Sequence, residues 1–185
     1  MKQRIMTYFQ APITNKVPGA VCNLQGLHDF ITTDSSLRRC TLQVRAELPD
    51  VKRFRAAKQQ MLPYVTPGGV FSYCNRRGLL FPSGTFVIDI DHLASPEEAA
   101  YWRDTLFADC RLQPELAFVS PGGTGVKLFQ PYRTDWGHPL EEGFAHAMHT
   151  AWQYLTVTYK LEADKANADI SRACFLCHDA DAKMR

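Results

Sequence analysis

Seven consecutive residues, Thr85-Phe86-Val87-Ile88-Asp89-Ile90-Asp91, constrain this chain more than any others. The run is rich in β-branched residues, follows a Pro82-Ser83-Gly84 break, and is soon followed by Ser95-Pro96-Glu97-Glu98. That second motif is a capping box with proline at the first helical position. The two together predict a central strand buried on both faces and then a helix with Ala99, Trp102 and Leu106 on one side. Side chains alternate along a strand, so Asp89 and Asp91 project from one face, about 7 Å apart, while Ile88 and Ile90 take the other. Two carboxylates in an apolar strand repel each other and are costly to desolvate unless a cation neutralises them. Magnesium suits such a pair, being a hard ion held by one or two carboxylates plus substrate phosphates. The alternative is that the strand ends here and leaves Asp91 in a solvated turn.

The flanking segments predict a mixed α+β chain. In the N-terminal lobe, of about residues 1–81, a helix follows Asn23 with Leu24, Leu27 and Ile31 on one face. An alternating, strand-like stretch then passes through Cys40, Leu42 and Val44. Asp50 caps a further helix carrying Val51, Phe54, Ala57 and Met61 at helical spacing. Residues 70–74 and 79–81 read as strands around an Asn75-Arg76-Arg77-Gly78 turn. Beyond the acidic run, residues 116–120 and 126–129 form a hairpin around Pro121-Gly122-Gly123-Thr124-Gly125. A long helix follows Pro139, with Phe144, Met148, Ala151, Trp152 and Leu155 buried, and residues 172–176 close the chain as a strand. Strand, helix, hairpin, helix, strand is the order of a ferredoxin-like or RRM-like antiparallel sheet, at about residues 82–180, merged with the N-terminal lobe into a single domain. The polar run 179–185 has no clear stop and is compatible with a fragment of a longer polypeptide.

Composition narrows the function. With 21 Lys and Arg against 19 Asp and Glu, no global field advertises a polyanionic partner, so a nucleic-acid site must be local. Basic residues cluster at Arg38-Arg39, at Lys52-Arg53-Phe54-Arg55 with Lys58, and at Arg76-Arg77. Such clusters are more often a solvated face than a ligand site. No run approaches the roughly 18 apolar residues of a membrane span, and no apolar signal core follows the N-terminus, so a cytoplasmic protein without a membrane partner is expected. The six cysteines read as reduced thiols; Cys174-Phe175-Leu176-Cys177-His178 lacks the second ligand pair of a zinc site. His146 and His149, three apart on the long helix, read as surface or packing residues.

Two further constellations carry chemistry. Glycines at 122, 123 and 125 permit close backbone approach to a ligand, Ser120 adds a hydroxyl, and Lys127 adds a point charge, a set that suits phosphate. An ordinary hairpin with an outward lysine is the alternative. In Asn167-Ala168-Asp169-Ile170-Ser171-Arg172, an acid and a base lie three residues apart before the last strand. Asp169 converging on the first pair would complete a two-metal clamp, and Arg172 would meet a phosphate; a surface pair at a turn is the alternative.

In this order, the motifs resemble the three-motif signature of archaeo-eukaryotic-type primase-polymerases. Leu62-Pro63-Tyr64-Val65-Thr66-Pro67-Gly68-Gly69-Val70-Phe71, Ser83-Gly84, Asp89-Ile90-Asp91, Ser120-Pro121-Gly122-Gly123-Thr124-Gly125-Val126-Lys127 and Asp169-Ile170-Ser171-Arg172-Ala173-Cys174-Phe175 resemble the VirE N-terminal-like branch. That branch is found at the N-terminus of mobile-element primase-helicase proteins. The resemblance spans about residues 5–180. It implies that Asp89, Asp91 and Asp169 are catalytic and bind Mg²⁺ or Mn²⁺. It also implies that Ser120, Gly122, Gly123, Gly125, Lys127 and Arg172 contact a nucleoside triphosphate. Single-stranded DNA would be the template, and a helicase, as a C-terminal domain or a separate protein, the partner. One departure stands out: the second motif in this superfamily usually carries a histidine where this chain has Lys127, which cannot accept a hydrogen bond or relay a proton.

The implied activity is nucleotidyl transfer in the replication of a mobile or plasmid-like element. The other reading is a catalytically weak primase-fold module that binds single-stranded DNA or nucleotide within a larger replication or mobilisation protein. Haloacid-dehalogenase phosphatases fit less well, because Leu93 stands where they need Thr or Val and the element order is not doubly wound. Toprim-type nucleases would want an upstream glutamate, and residues 70–90 contain none.

Overall fold

A computed structural model describes residues 4–133, 139–165 and 168–185. Its strands are β1 (Ile5–Phe9), β2 (Ala20–Asn23), β3 (Tyr64–Thr66), β4 (Gly69–Phe71), β5 (Leu79–Pro82), β6 (Thr85–Ile90), β7 (Leu116–Val119), β8 (Val126–Pro131), β9 (Cys174–Phe175) and β10 (Lys183–Met184). Its helices are α1 (Leu24–Thr33), α2 (Ser35–Ala46), α3 (Val51–Met61), α4 (Pro96–Ala108) and α5 (Leu140–Tyr159). The fold is α+β: among the described residues, five helices accompany three antiparallel sheets, ordered β2-β1-β3-β9, β10-β7-β8-β6 and β4-β5.

Polar caps start the helices where the sequence places them. Asn23 accepts from the Gly26 amide, Asp50 from those of Lys52 and Arg53, and Ser95 from that of Glu98. Stretch 35–46 departs from its alternating pattern and is helical. Asp34 caps it, and Leu37, Thr41 and Val44 are buried at helical spacing, whereas Leu42 is 58% exposed. The face of α3 predicted to be buried is only half-covered, and Val51 is exposed. On α5, by contrast, all five residues of the predicted stripe are buried.

The acidic strand β6 is buried but not central. It pairs only with β8, at the edge of its sheet. Its apolar character reflects cover on two faces. Phe86, Ile88 and Ile90 pack under α4 and α5, and Val87 joins Phe118 and Phe129 against Met6, Leu27, Ile31 and Val65 of the N-terminal lobe. The last predicted strand also sits elsewhere than an RRM-like order places it: β9 pairs with β3, so the chain returns to the N-terminal sheet. β10 then adds to β7. Arg103 of α4, 5% exposed, binds Asp179 at 3.0 and 3.1 Å, and Asp179 also accepts from the Val119 amide, which ties this C-terminal segment to the sheet.

The end of α4 is tied to α5 through Asp109. Its carboxylate accepts from the amides of Arg111 and Leu112 and from the hydroxyls of Tyr154 and Tyr159. Burial works against its charge, but the hydrogen bonds from Tyr159, Leu112, Tyr154 and Arg111 outweigh it and hold the pKa below the usual carboxylate value. A depressed folded pKa contributes stability that is full above the unfolded value, near 3.9, and is lost as pH falls through the folded one. Asp109→Asn is therefore expected to cost about 1–3 kcal/mol at pH 7 in urea unfolding, with the gap to wild type closing below about pH 4.

Candidate functional site

Strand register creates the site. Asp89 on β6 lies opposite Lys127 on β8, and the Lys127 ammonium binds Asp89 Oδ2 directly. Both side chains are largely buried, 15% and 8% exposed. Burial alone would discharge the lysine, but Asp89, backed by Asp91, holds its pKa above the ordinary value. Lys127 therefore faces inward as a fixed cation, not outward as an ordinary hairpin lysine would. Asp89 Oδ1 is buried and has no hydrogen-bond partner. A carboxylate oxygen left over in this way is one that a metal ion or a further donor can take up.

Asp91 follows β6 and is exposed, yet its pKa is raised, first by the protein crowding its carboxyl and then by the charge of Asp89. Its Oδ1 lies beside Gly125. A Cβ added there would meet the Ile90 carbonyl at 2.6 Å, Ser120 Oγ at 2.8 Å and Asp91 Oδ1 at 2.9 Å. Asp91 and Ser120 thus both lie against Gly125 of the glycine turn. Gly123 has φ +81°, a left-handed conformation that glycine adopts freely. Gly122, by comparison, sees only Phe54 Cζ at 3.6 Å. Gly125→Ala is expected to cost about 1–3 kcal/mol through this overpacking while Gly122→Ala stays within about 0.5 kcal/mol, both read by thermal or urea unfolding.

The third acid is placed differently. Asp169 is exposed, and its Oδ1 accepts from the amide and hydroxyl of Ser171 at 2.8 and 3.0 Å. Among the described residues no group of three or more His, Cys, Asp or Glu side chains could hold a metal ion, so Asp169 does not form a ready-made cluster with Asp89 and Asp91. Arg172 lies 3.9 Å from Asp164, whose amide donates to the Asp89 carbonyl at 2.8 Å, so this segment is tied to the acidic strand through its backbone. Asn167 lies outside the described residues. The other conspicuous motif is structural: Cys174 and Cys177 are buried free thiols, and His178 Nδ1 is hydrogen-bonded to the Ile31 carbonyl at 2.9 Å.

Two residues not singled out for the site complete its walls. Arg45 of α2 donates to the carbonyls of Pro121 and Ser120 at 3.1 and 3.3 Å, which holds the glycine turn against the N-terminal lobe. Lys58 of α3 sits over the rings of Phe54 and Phe175, at 5.6 and 5.4 Å. Its pKa is lowered by burial and by Lys127, and Asp91 and Asp89 act in the opposite sense, so it is close enough to feel the whole acidic and basic cluster. The spacing of Phe54 and Lys58, four apart on a helix, was the available signal for Lys58. Arg45 had none. The other basic residues of α2 and α3, Arg38, Arg39, Lys52, Arg53 and Arg55, are exposed.

Two neighbouring carboxylates, one of them with an oxygen unpartnered among the described residues, the inward ammonium of Lys127 and a tight glycine turn thus lie together at one end of β6. A family model described as BT4734-like, N-terminal domain matches residues 56–183. No curated protein and no solved structure matches the chain. Among the described residues, no helix is long and apolar enough to cross a membrane.

Proposed function

The chain belongs to the BT4734-like N-terminal domain family, and from that premise we propose that it is a primase-polymerase-type nucleotidyltransferase serving replication of a mobile or plasmid-like element. The observation that carries this reading is the juxtaposition of Asp89 and Asp91 with the Ser120 to Lys127 hairpin at one end of β6. The 3′ hydroxyl of a strand paired to a single-stranded DNA template would attack the α-phosphate of a nucleoside triphosphate, forming a phosphodiester and releasing pyrophosphate. Asp89 and Asp91 would hold Mg²⁺ or Mn²⁺, which when bound stabilises the attacking and leaving oxygens. Asp169 would add its carboxylate on giving up its contacts with Ser171.

The remaining roles belong to side chains and backbone. Amides of Gly122, Gly123 and Gly125 and the Ser120 hydroxyl would bind phosphate oxygens, and Lys127, Lys58 and Arg172 would balance their charge. The exposed basic residues of α2 and α3 give template DNA a salt-sensitive surface. A helicase, as a further domain or a separate protein, would supply the unwound template. Incorporation of labelled nucleotide on a primed template, with Mg²⁺ or Mn²⁺ and with chelator, tests the reading; no incorporation under any of these conditions would refute it.

One observation favours a second reading. Lys127 neutralises Asp89, and among the described residues Asp169 forms no ready-made metal cluster with the acidic pair, an arrangement suited to a module that grips nucleotide or single-stranded DNA and turns over slowly or not at all. Salt-dependent DNA binding with no incorporation would select it.

A further inference from the structure

A cavity of about 810 Å³ lies between α5 and the far end of β6 and β8. It is on the face of the sheet opposite Asp89, because Phe86, which lines it, and Asp89 alternate in direction along the strand. Its walls are apolar, formed largely by Phe86, Leu112, Pro131, Ala147 and Ala151, and its size suits a small molecule.

Two independent features separate it from a packing defect. Gln130 and Tyr132 line the cavity and are each 9% exposed, yet Gln130 Oε1 and the Tyr132 hydroxyl are buried without a hydrogen-bond partner. Gln130 Nε2 already donates to the Leu112 carbonyl, so the amide is fixed with its oxygen left over. Buried polar atoms left unpaired are destabilising, and a ligand that pairs them recovers that loss. The second feature is Gly143 on the cavity wall. It lies inside α5, and a Cβ built there meets nothing within 4 Å. Among the described residues nothing in the packing requires glycine, and any residue but proline would favour the helix more, so what glycine preserves is the open cavity.

We propose that this cavity binds a small aromatic or heteroaromatic molecule. The ring lies against the apolar wall, an N–H or O–H of the ligand donates to Gln130 Oε1, and the Tyr132 hydroxyl takes a second polar atom. Binding requires neither divalent metal nor the acidic pair.

The probe 8-anilinonaphthalene-1-sulfonate has this chemistry, with fused rings and an aryl N–H. Titration of the full chain is expected to give saturable one-to-one binding, with ¹⁵N shift changes centred on the Gln130 side-chain amide and on α5. Gly143→Phe should melt no lower than wild type and weaken binding at least about tenfold by filling the cavity, and Asp91→Asn should leave the affinity within about twofold. Unsaturable binding, shift changes centred elsewhere, unchanged affinity in Gly143→Phe, or loss in Asp91→Asn would each overturn the proposal.

Discussion

Asp91→Asn is expected to lower metal-dependent nucleotide incorporation by roughly a thousandfold while leaving the fold intact. Asp91 is exposed, and its nearest like charge is Asp89, so loss of the carboxylate relieves repulsion and costs no buried partner. Asp89→Asn is expected to match the loss of activity and to add a second effect. Its Oδ2 is the partner of the buried Lys127 ammonium, and removal of one member of such a pair costs about 3–5 kcal/mol because the other charge is stranded. Primer extension with Mg²⁺ or Mn²⁺, paired with urea unfolding of each variant, separates the two positions. Full incorporation by Asp91→Asn would remove the catalytic reading, and equal stability of the two variants would remove the account of Lys127.

Lys127→Met tests the same pair from its other side. Without divalent metal, Asp89 is left as a buried carboxylate with no counter-ion, and a loss of about 3–5 kcal/mol is expected. Mg²⁺ or Mn²⁺ should restore part of that loss in Lys127→Met and stabilise wild type less, because in wild type the lysine already occupies Asp89 Oδ2. Unfolding midpoints measured with metal and with chelator decide the matter. A variant as stable as wild type and indifferent to metal would show that Asp89 is not a cation site.

What the sequence revealed about the fold was largely what is decided locally. The apolar run of β6, the Ser95 cap of α4, the glycine turn before β8 and the stripe of α5 each carry their determinants within a few residues. Stretch 35–46 misled because Cys40, Leu42 and Val44 happen to alternate; its helix is set by Asp34 and by contacts of Leu37, Thr41 and Val44 with the N-terminal core. Strands β1, β2 and β3 are three to five residues long and stabilise one another across distant segments, so none has a strong signal of its own. The same holds for β9: its register, Tyr64 opposite Phe175, joins residues far apart in the chain, and nothing near Phe175 indicates which sheet it enters.

The site follows the same division. Alternation along β6 places Asp89, and turn chemistry places Ser120 and the glycines, whereas Asp91 follows the end of the strand and is exposed. The pairing of Lys127 with Asp89 depends on the register of β6 against β8, which puts these two residues directly opposite. The turn at Asp169 was visible as an acid and a base three residues apart, but its contacts with Ser171 depend on the local Asx-type geometry that the folded segment adopts. Lys58 and Arg45 act across the boundary between the lobes, where sequence spacing says least.

The central claim is that Asp89 and Asp91 form a divalent-cation and nucleotide site. A crystal of the wild-type chain soaked with Mn²⁺ and a nucleoside triphosphate tests it most directly, through the anomalous signal of the metal. The expected result is Mn²⁺ bound by the carboxylates of Asp89 and Asp91, with the triphosphate on the turn of Gly122, Gly123 and Gly125. Anomalous density absent from that pair, with the nucleotide bound elsewhere or not at all, would contradict it.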